Sequence, residues 1–217
     1  MLDALKVRVK QALVPLLYRY PPIGLQPTEL GIYLDTLYRR AAVPGDVLEV
    51  GCSVGGTACI ASRVVAKHSP AKRYICVDTF GGFVPEQFAA DAAQGTPQDR
   101  GSLFTSNDEM LVRRILDKHG CQDVQLLKGD ICAVPDAALP DRISVVLLDV
   151  DLEIPTYEGL KRLYPRLSPG GVILVDDCSR EPAQKWRAYH GFRQFCEEMG
   201  LEPRLDAGLG VVEAAAG

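Results

Sequence analysis

The sequence predicts an α/β fold, with a mostly parallel, seven-stranded sheet flanked by helices. Three observations carry this. From residue 46 onward, short apolar runs such as Asp46–Val50 and Ile143–Asp149 alternate with amphipathic segments of helical length. Such continuously apolar runs fit strands buried on both faces, as a parallel sheet requires. Acidic or glycine-rich tips follow strand after strand, at the carboxyl ends where open α/β sheets bind ligands. With 217 residues, 47% hydrophobic and 24% charged, the chain suits one packed core and is neither disordered nor fibrous in composition.

Taken in order, a helix is expected from about Leu2 towards Tyr20, kinked or broken at Pro15 and stopped by Pro21-Pro22. A second starts at Thr28 as N-cap and sets Leu30, Leu34, Leu37, Tyr38 and Ala41 on one face. These form an N-terminal helical extension over 1–43, ahead of the sheet domain over 44–217. Asp46–Val50 is the first strand, Gly55–Lys67 a helix and Arg73–Asp78 the second strand. Ser106 with Glu109 forms a capping box for a helix ending before Gly120. Val124–Leu127 and Ile143–Asp149 are the third and fourth strands, and Thr156 to Tyr164 is a helix stopped by Pro165. Gly170-Gly171 turns the chain into a fifth strand, Val172–Asp176. A helix over Ala183–Met199 and short strands near Arg204–Asp206 and Gly210–Glu213 complete the pattern. The segment Val84–Thr105 is polar and irregular, as mobile or site-covering segments often are.

Several function classes are excluded. A net charge of -4 with no Lys/Arg run gives no electrostatic basis for nucleic-acid binding. Seven scattered cysteines without a C-x-x-C pair argue against a zinc site or disulfide framework and point to a reducing compartment. No stretch reaches transmembrane length, so a soluble, cytoplasmic protein with no membrane partner is expected.

The first strand runs into Glu49-Val50-Gly51-Cys52-Ser53-Val54-Gly55-Gly56. Here Gly51, Ser53 and Gly55 let a ligand lie against bare backbone at a helix N-terminus. Glu49 suits the cationic amino group of a methionine moiety better than a pyrophosphate. This E-x-G-x-[GS]-x-G pattern resembles motif I of class I S-adenosylmethionine methyltransferases, a Rossmann-like fold. Asp78 either accepts the ribose hydroxyls or is an ordinary strand-end turn residue. Asp130 either accepts from an adenine amino group or serves a turn. Phe80 either stacks on adenine or belongs to the core. Acidic residues after three successive strands favour the nucleoside reading.

The strongest signal is Asp149-Val150-Asp151 after the fourth strand with Asp176-Asp177 after the fifth. Were the two strands neighbours, their ends would stand about 5 Å apart. Three carboxylates, Asp149, Asp176 and Asp177, would then crowd together, and one would stay protonated unless a cation joined them. An all-oxygen set suits Mg2+ rather than zinc. A cation beside an alcohol makes its proton easier to remove, and Asp151 is the candidate base. Taken singly, Asp151 and Asp177 are equally well read as helix N-caps. His68, His119 and His190 adjoin no motif and are expected at helix ends or in solvent; Trp186 and Tyr189 either line a substrate pocket or pack on the sheet.

The segments GDVLEVGCSVGG, YICVDTFGGF, LLKGDI and VVLLDVDLEIPTYEGLKRLYPRLSPGGVILVDDC together resemble the macrocin O-methyltransferase family, whose members methylate sugar hydroxyls of natural products. The resemblance runs from about Pro44 to Cys178. It implies S-adenosylmethionine and Mg2+ as cofactors, Asp149, Asp176 and Asp177 as metal ligands, and Asp151 as general base. It further implies a sugar or other polyhydroxylated small-molecule acceptor, a mobile segment at Val84–Thr105, and a homodimer or larger assembly. Two departures are a shorter chain and Cys52-Ser53-Val54 where many members carry tryptophan. Catechol-type enzymes, which use Asp, Asp and Asn with a lysine three residues after the first Asp, match less well: that position is Leu152. A non-catalytic S-adenosylmethionine-binding protein would keep Glu49 and Asp78 but have no use for the four aspartates.

Overall fold

A computed structural model describes residues 2–179 and 186–214. The elements are α1 (Leu2–Ala12), α2 (Val14–Leu17), α3 (Pro27–Arg39), β1 (Asp46–Val50), α4 (Gly56–His68), β2 (Tyr74–Asp78) and α5 (Pro85–Ala93). They continue as α6 (Glu109–Lys118), β3 (Gln125–Lys128), β4 (Ile143–Leu148), α7 (Glu153–Leu163), β5 (Leu167–Val175), α8 (Ala188–Met199), β6 (Arg204–Asp206) and β7 (Leu209–Glu213). The strands form one seven-stranded sheet in the order β3-β2-β1-β4-β5-β7-β6. β1 to β5 are parallel, and β7 and β6 add antiparallel at one edge. The expected α/β architecture is therefore the one found.

Burial explains the centre. All six residues of β4, ISVVLL, are buried, as a strand covered by helices on both faces must be. One apolar layer joins Tyr33 and Leu37 of α3 to Ala58 and Cys59 of α4 and to Leu111 and Ile115 of α6. The opposite layer packs Leu160 and Leu163 of α7 and Phe192 and Phe195 of α8 on the other face. Strand order reverses between β1 and β4, which places a crevice at their carboxyl ends.

Several local expectations are corrected. The chain breaks after Ala12, two residues before Pro15 expected it, because Pro15 fits the first turn of α2 where its missing N–H costs nothing. α3 begins at Pro27 with Gln26 as N-cap, not Thr28; the Glu29 side chain accepts from the Gln26 backbone N–H at 2.9 Å. α6 is capped by Asp108, whose carboxylate accepts from Leu111 N at 2.7 Å, while the Ser106 hydroxyl turns to Asp3. Val84–Thr105 is not irregular: it holds α5 and a short 3-10 helix, Gln98–Ser102, because Pro85 opens the first turn and Phe88 and Asp91 bury. β5 runs through Gly170-Gly171 instead of starting after it, with Gly170 at φ +80°, a conformation glycine tolerates. The last helix is described from Ala188; residues 183–185 of the expected span lie outside the described residues. Among the described residues, no helix is long and apolar enough to cross a membrane.

Candidate active site

β1, β3, β4 and β5 each end by handing one more backbone hydrogen bond to a neighbouring strand. Gly51 N donates to Val77 O at 2.8 Å, Gly129 N to Asp78 O at 2.9 Å, Asp149 N to Val50 O at 2.8 Å and Asp176 N to Leu148 O at 2.9 Å. β4 and β5 are neighbours in register, Leu148 opposite Val175, so Asp149 and Asp176 emerge side by side. Over these tips lies a cavity of about 400 Å³. It is lined by Gly51, Ser53, Asp78, Asp130, Asp149, Asp151, Asp176 and Asp177, eight of the eleven residues expected at the site.

The glycine turn is built around Asp78. Its carboxylate accepts from Ser53 N at 2.9 Å and from Phe80 N at 2.7 Å, with Ser53 and Phe80 both in left-handed backbone. Burial raises the Asp78 carboxyl above its ordinary range, and these N–H groups partly offset that. Gly51, at φ +87°, is obligatory: a Cβ there would stand 1.6 Å from the Asp149 carbonyl oxygen. Asp130 accepts from Cys132 N at 2.9 Å and from Gln87 Nε2 at 2.7 Å.

Three expected residues stand outside the cavity lining. Glu49 is buried beneath the turn, where Tyr74 donates to its carboxylate and Tyr74 in turn meets the Tyr33 hydroxyl at 2.9 Å. Side chains alternate along a strand, so with Val50 on the cavity side Glu49 faces the α3 layer. Burial pushes its carboxyl up to about 8 despite the Tyr74 hydrogen bond. Phe80 turns into the core, 2% exposed, which resolves its two readings in favour of packing. Gly55 is the left-handed N-cap of α4, with a Cβ position 3.2 Å from Val112 Cγ1.

The acidic end is more crowded than the sequence implied. Carboxylate oxygens of Asp149, Asp151 and Asp177 lie within 4.8 Å of one another, so Asp151 joins the cluster instead of standing just beyond it. Burial, reinforced by the neighbouring carboxylates, holds the Asp149 and Asp151 carboxyls well above the usual range. Asp176 is pushed up to about 7, again by burial first and then by Asp177 and Glu29. Its Oδ1 is buried without a hydrogen-bond partner. A hard divalent cation fits the Asp149, Asp151 and Asp177 group, oxygen donors that converge and repel one another; Asp176, expected among the ligands, stands outside that trio with its Oδ1 bare.

Sequence reasoning missed Glu29, which reaches the cavity from α3 together with Gly24 and Gln26, so the N-terminal extension forms part of the wall. It also missed Phe83, Phe104, Asn107 and Gln87. Asn107 Nδ2 donates to the Ser53 carbonyl at 2.7 Å, bracing the glycine turn from α6's entry. Trp186 lines the cavity, as one of its two readings had it, whereas Tyr189 packs on Phe192. No motif marks Glu29, Gln87, Phe104 or Asn107, whereas Phe83 closes the YICVDTFGGF segment.

Known proteins share this fold. The O-methyltransferase NovP superposes over 98% of this chain and 99% of its own with a TM-score of 0.70 at 20% identity. The calicheamicin methyltransferase CalS11 does so over 98% and 92%, also at 0.70 and 20%. Both likenesses establish the class I methyltransferase fold. In sequence, the chain is 31% identical over 162 residues to Mycinamicin III 3''-O-methyltransferase of Micromonospora griseorubida, covering 70% of this chain and 64% of that protein. It is 32% identical over 178 residues to 8-demethyl-8-(2,3-dimethoxy-alpha-L-rhamnosyl)-tetracenomycin-C 4'-O-methyltransferase of Streptomyces olivaceus, covering 79% and 66%. The chain thus spans just under two thirds of the length of these relatives. A family model described as Macrocin-O-methyltransferase (TylF) matches residues 33–201, and the chain belongs to that family.

Proposed function

We propose that this protein is an S-adenosylmethionine- and Mg2+-dependent O-methyltransferase acting on a hydroxyl of a sugar or other polyhydroxylated small molecule in natural-product biosynthesis. The observation that carries the reading is one cavity joining the Asp78-organised glycine turn to four half-buried aspartates. The related enzymes named above support the choice of acceptor class.

In this reading Gly51, Ser53, Asp78 and Asp130 bind the nucleoside, with bare backbone at Gly51 and acceptors at Asp78 and Asp130. Glu49 and Gly55, away from the cavity wall, serve the turn from beneath; Phe80 serves it from the core. Asp149, Asp176 and Asp177 would hold Mg2+, with the bare Asp176 Oδ1 as the clearest vacant donor. Bound Mg2+ supplies positive charge that eases deprotonation of an acceptor hydroxyl, and S-adenosylmethionine supplies the methyl group. Asp151, its carboxylate within 4.8 Å of that of Asp177, takes and holds the acceptor proton. The walls around these groups keep water from competing with the acceptor.

A cytoplasmic location is part of this reading, supported by seven cysteines that are all free. So is a homodimer, for which the exposed Leu2, Leu5 and Val9 of α1 offer an apolar surface. The deciding experiment is methyl transfer from labelled S-adenosylmethionine to a panel of glycosides and catechols, with Mg2+ or with chelator. Glycoside methylation that chelator abolishes is the expected result. Transfer confined to catechols, or insensitive to chelator, contradicts the reading.

A further inference from the structure

Aromatic rings and one guanidinium gather at the cavity wall. The Phe83 ring centroid lies 5.5 Å from those of Trp186 and Phe104 and 5.7 Å from that of Phe88. The Arg100 guanidinium carbon stands 4.5 Å from the Trp186 ring centroid, within cation–π range. Phe83, Phe104 and Trp186 line the cavity, while Phe88 is buried behind them. A Cβ on Gly101 would stand 2.7 Å from Phe88 Cε1, so the short helix carrying Arg100 rests directly on that ring.

Trp186 is fixed from its other side. The backbone N–H groups of Arg187 and Ala188 both donate to the Asp151 carbonyl at 3.0 Å, and the Arg187 guanidinium pairs with Glu153 at 2.6 Å. The indole is therefore anchored to the very segment that bears Asp149 and Asp151. Among the described residues Arg100 has no ion pair; its guanidinium stands over the indole, and its charge also reaches the Asp151 carboxyl.

A pyranose has hydroxyls at its edge and polarised C–H bonds on its faces. Those C–H bonds settle on the electron-rich face of an indole, leaving the hydroxyls free for polar groups. Aromatic wall and carboxylate cluster stand side by side here in the arrangement such a ring needs. Resting on the O-methyltransferase reading, we propose that Trp186 is the platform on which the acceptor sugar ring stacks. Phe83 is its side wall, and Arg100 is a positioning residue that holds the indole beside the acidic cluster.

The chain has 1 tryptophan, so its emission reports this position alone. Methyl α-L-rhamnopyranoside, and separately catechol, would be titrated into protein saturated with S-adenosylhomocysteine and Mg2+. A saturable change in Trp186 emission with the rhamnoside is expected, with little or none from catechol. By ligand-observed NMR, Trp186→Ala should weaken rhamnoside binding about tenfold, and Trp186→Phe by about threefold or less. Arg100→Met should weaken it about threefold and shift the emission, with Arg100→Lys restoring much of both. S-adenosylhomocysteine affinity should be the same in every variant, which also reports that each folds. Rhamnoside binding without an emission change, equal binding by Trp186→Ala, a response to catechol alone, or no rhamnoside binding by protein that binds S-adenosylhomocysteine would each overturn the platform. Absence of S-adenosylhomocysteine binding would instead refute the methyltransferase reading beneath it.

Discussion

Carboxylate oxygens of Asp151 and Asp177 lie within 4.8 Å of each other across the tips of two adjacent strands, and both residues sit in left-handed backbone, at φ 61° and 54°. Non-glycine residues held there cost about 1–3 kcal/mol each and persist where the surroundings fix them. Burial and the Asp177 charge together favour a proton on the Asp151 carboxyl. The ligand-free site is thus strained in backbone and charge together, a pattern expected of residues kept for function instead of stability.

Asp151→Asn should therefore lower turnover by about 10²–10⁴-fold while S-adenosylhomocysteine binding survives. Relief of buried repulsion should at the same time raise the melting temperature of the ligand-free protein, by about 2–4 °C for each kcal/mol gained. Steady-state kinetics and a thermal melt on one preparation check both. Full turnover in Asp151→Asn would remove this residue as the base.

Mg2+ should raise the melting temperature of the wild-type chain, since a ligand bound only by the folded state stabilises it. Asp149→Ala/Asp176→Ala should lose that response, because it removes one carboxylate of the converging trio and the bare Asp176 Oδ1. A thermal melt with increasing Mg2+ reads the difference, and an equal response in both proteins would place the cation elsewhere.

Glu49 predicts a pH dependence. Its carboxyl ordinarily titrates near 4.5, and burial pushes it up to about 8 in the fold. The folded state then binds the extra proton, so this contribution to stability is complete below pH 4.5 and is lost as pH rises through 8. Across that window the loss approaches ~1.4 kcal/mol per pH unit. The buried aspartates slope the same way, so the informative quantity is the difference between wild type and Glu49→Gln. Denaturant unfolding from pH 5 to pH 8 should show a shallower decline in the variant, and identical slopes would contradict the assignment.

Tyr33 ties the N-terminal extension to the sheet through the hydroxyl of Tyr74. Tyr33→Phe should cost about 1 kcal/mol, the net worth of one such hydrogen bond, and so lower the melting temperature by about 2–4 °C. Affinity for S-adenosylhomocysteine should be unchanged.

The legible part of the site was the part written at strand tips. Asp149 and Asp176 follow apolar runs whose parallel pairing could be foreseen, so their adjacency could be too. Glu49 shows the limit: the pattern named the right turn, but strand alternation sends its side chain into the core. Phe80 likewise looked like a ligand-stacking ring, yet its left-handed turn carries it inward. Glu29 belongs to a segment far from the motifs in sequence, and only the packing of α3 brings it to the cavity; Trp186, close behind the Asp176-Asp177 pair, was legible as one of two readings. Val84–Thr105 lacked periodicity because its helices are short and rest on a few contacts, such as Gly101 against Phe88.

The most direct test of the central claim is calorimetric titration of S-adenosylhomocysteine into the wild-type protein and into Asp149→Ala/Asp176→Ala, each with and without Mg2+. A nucleoside pocket beside a separate cation site predicts saturable binding to both proteins, with Mg2+ binding confined to the wild type. No S-adenosylhomocysteine binding to the wild type under either condition would contradict the account.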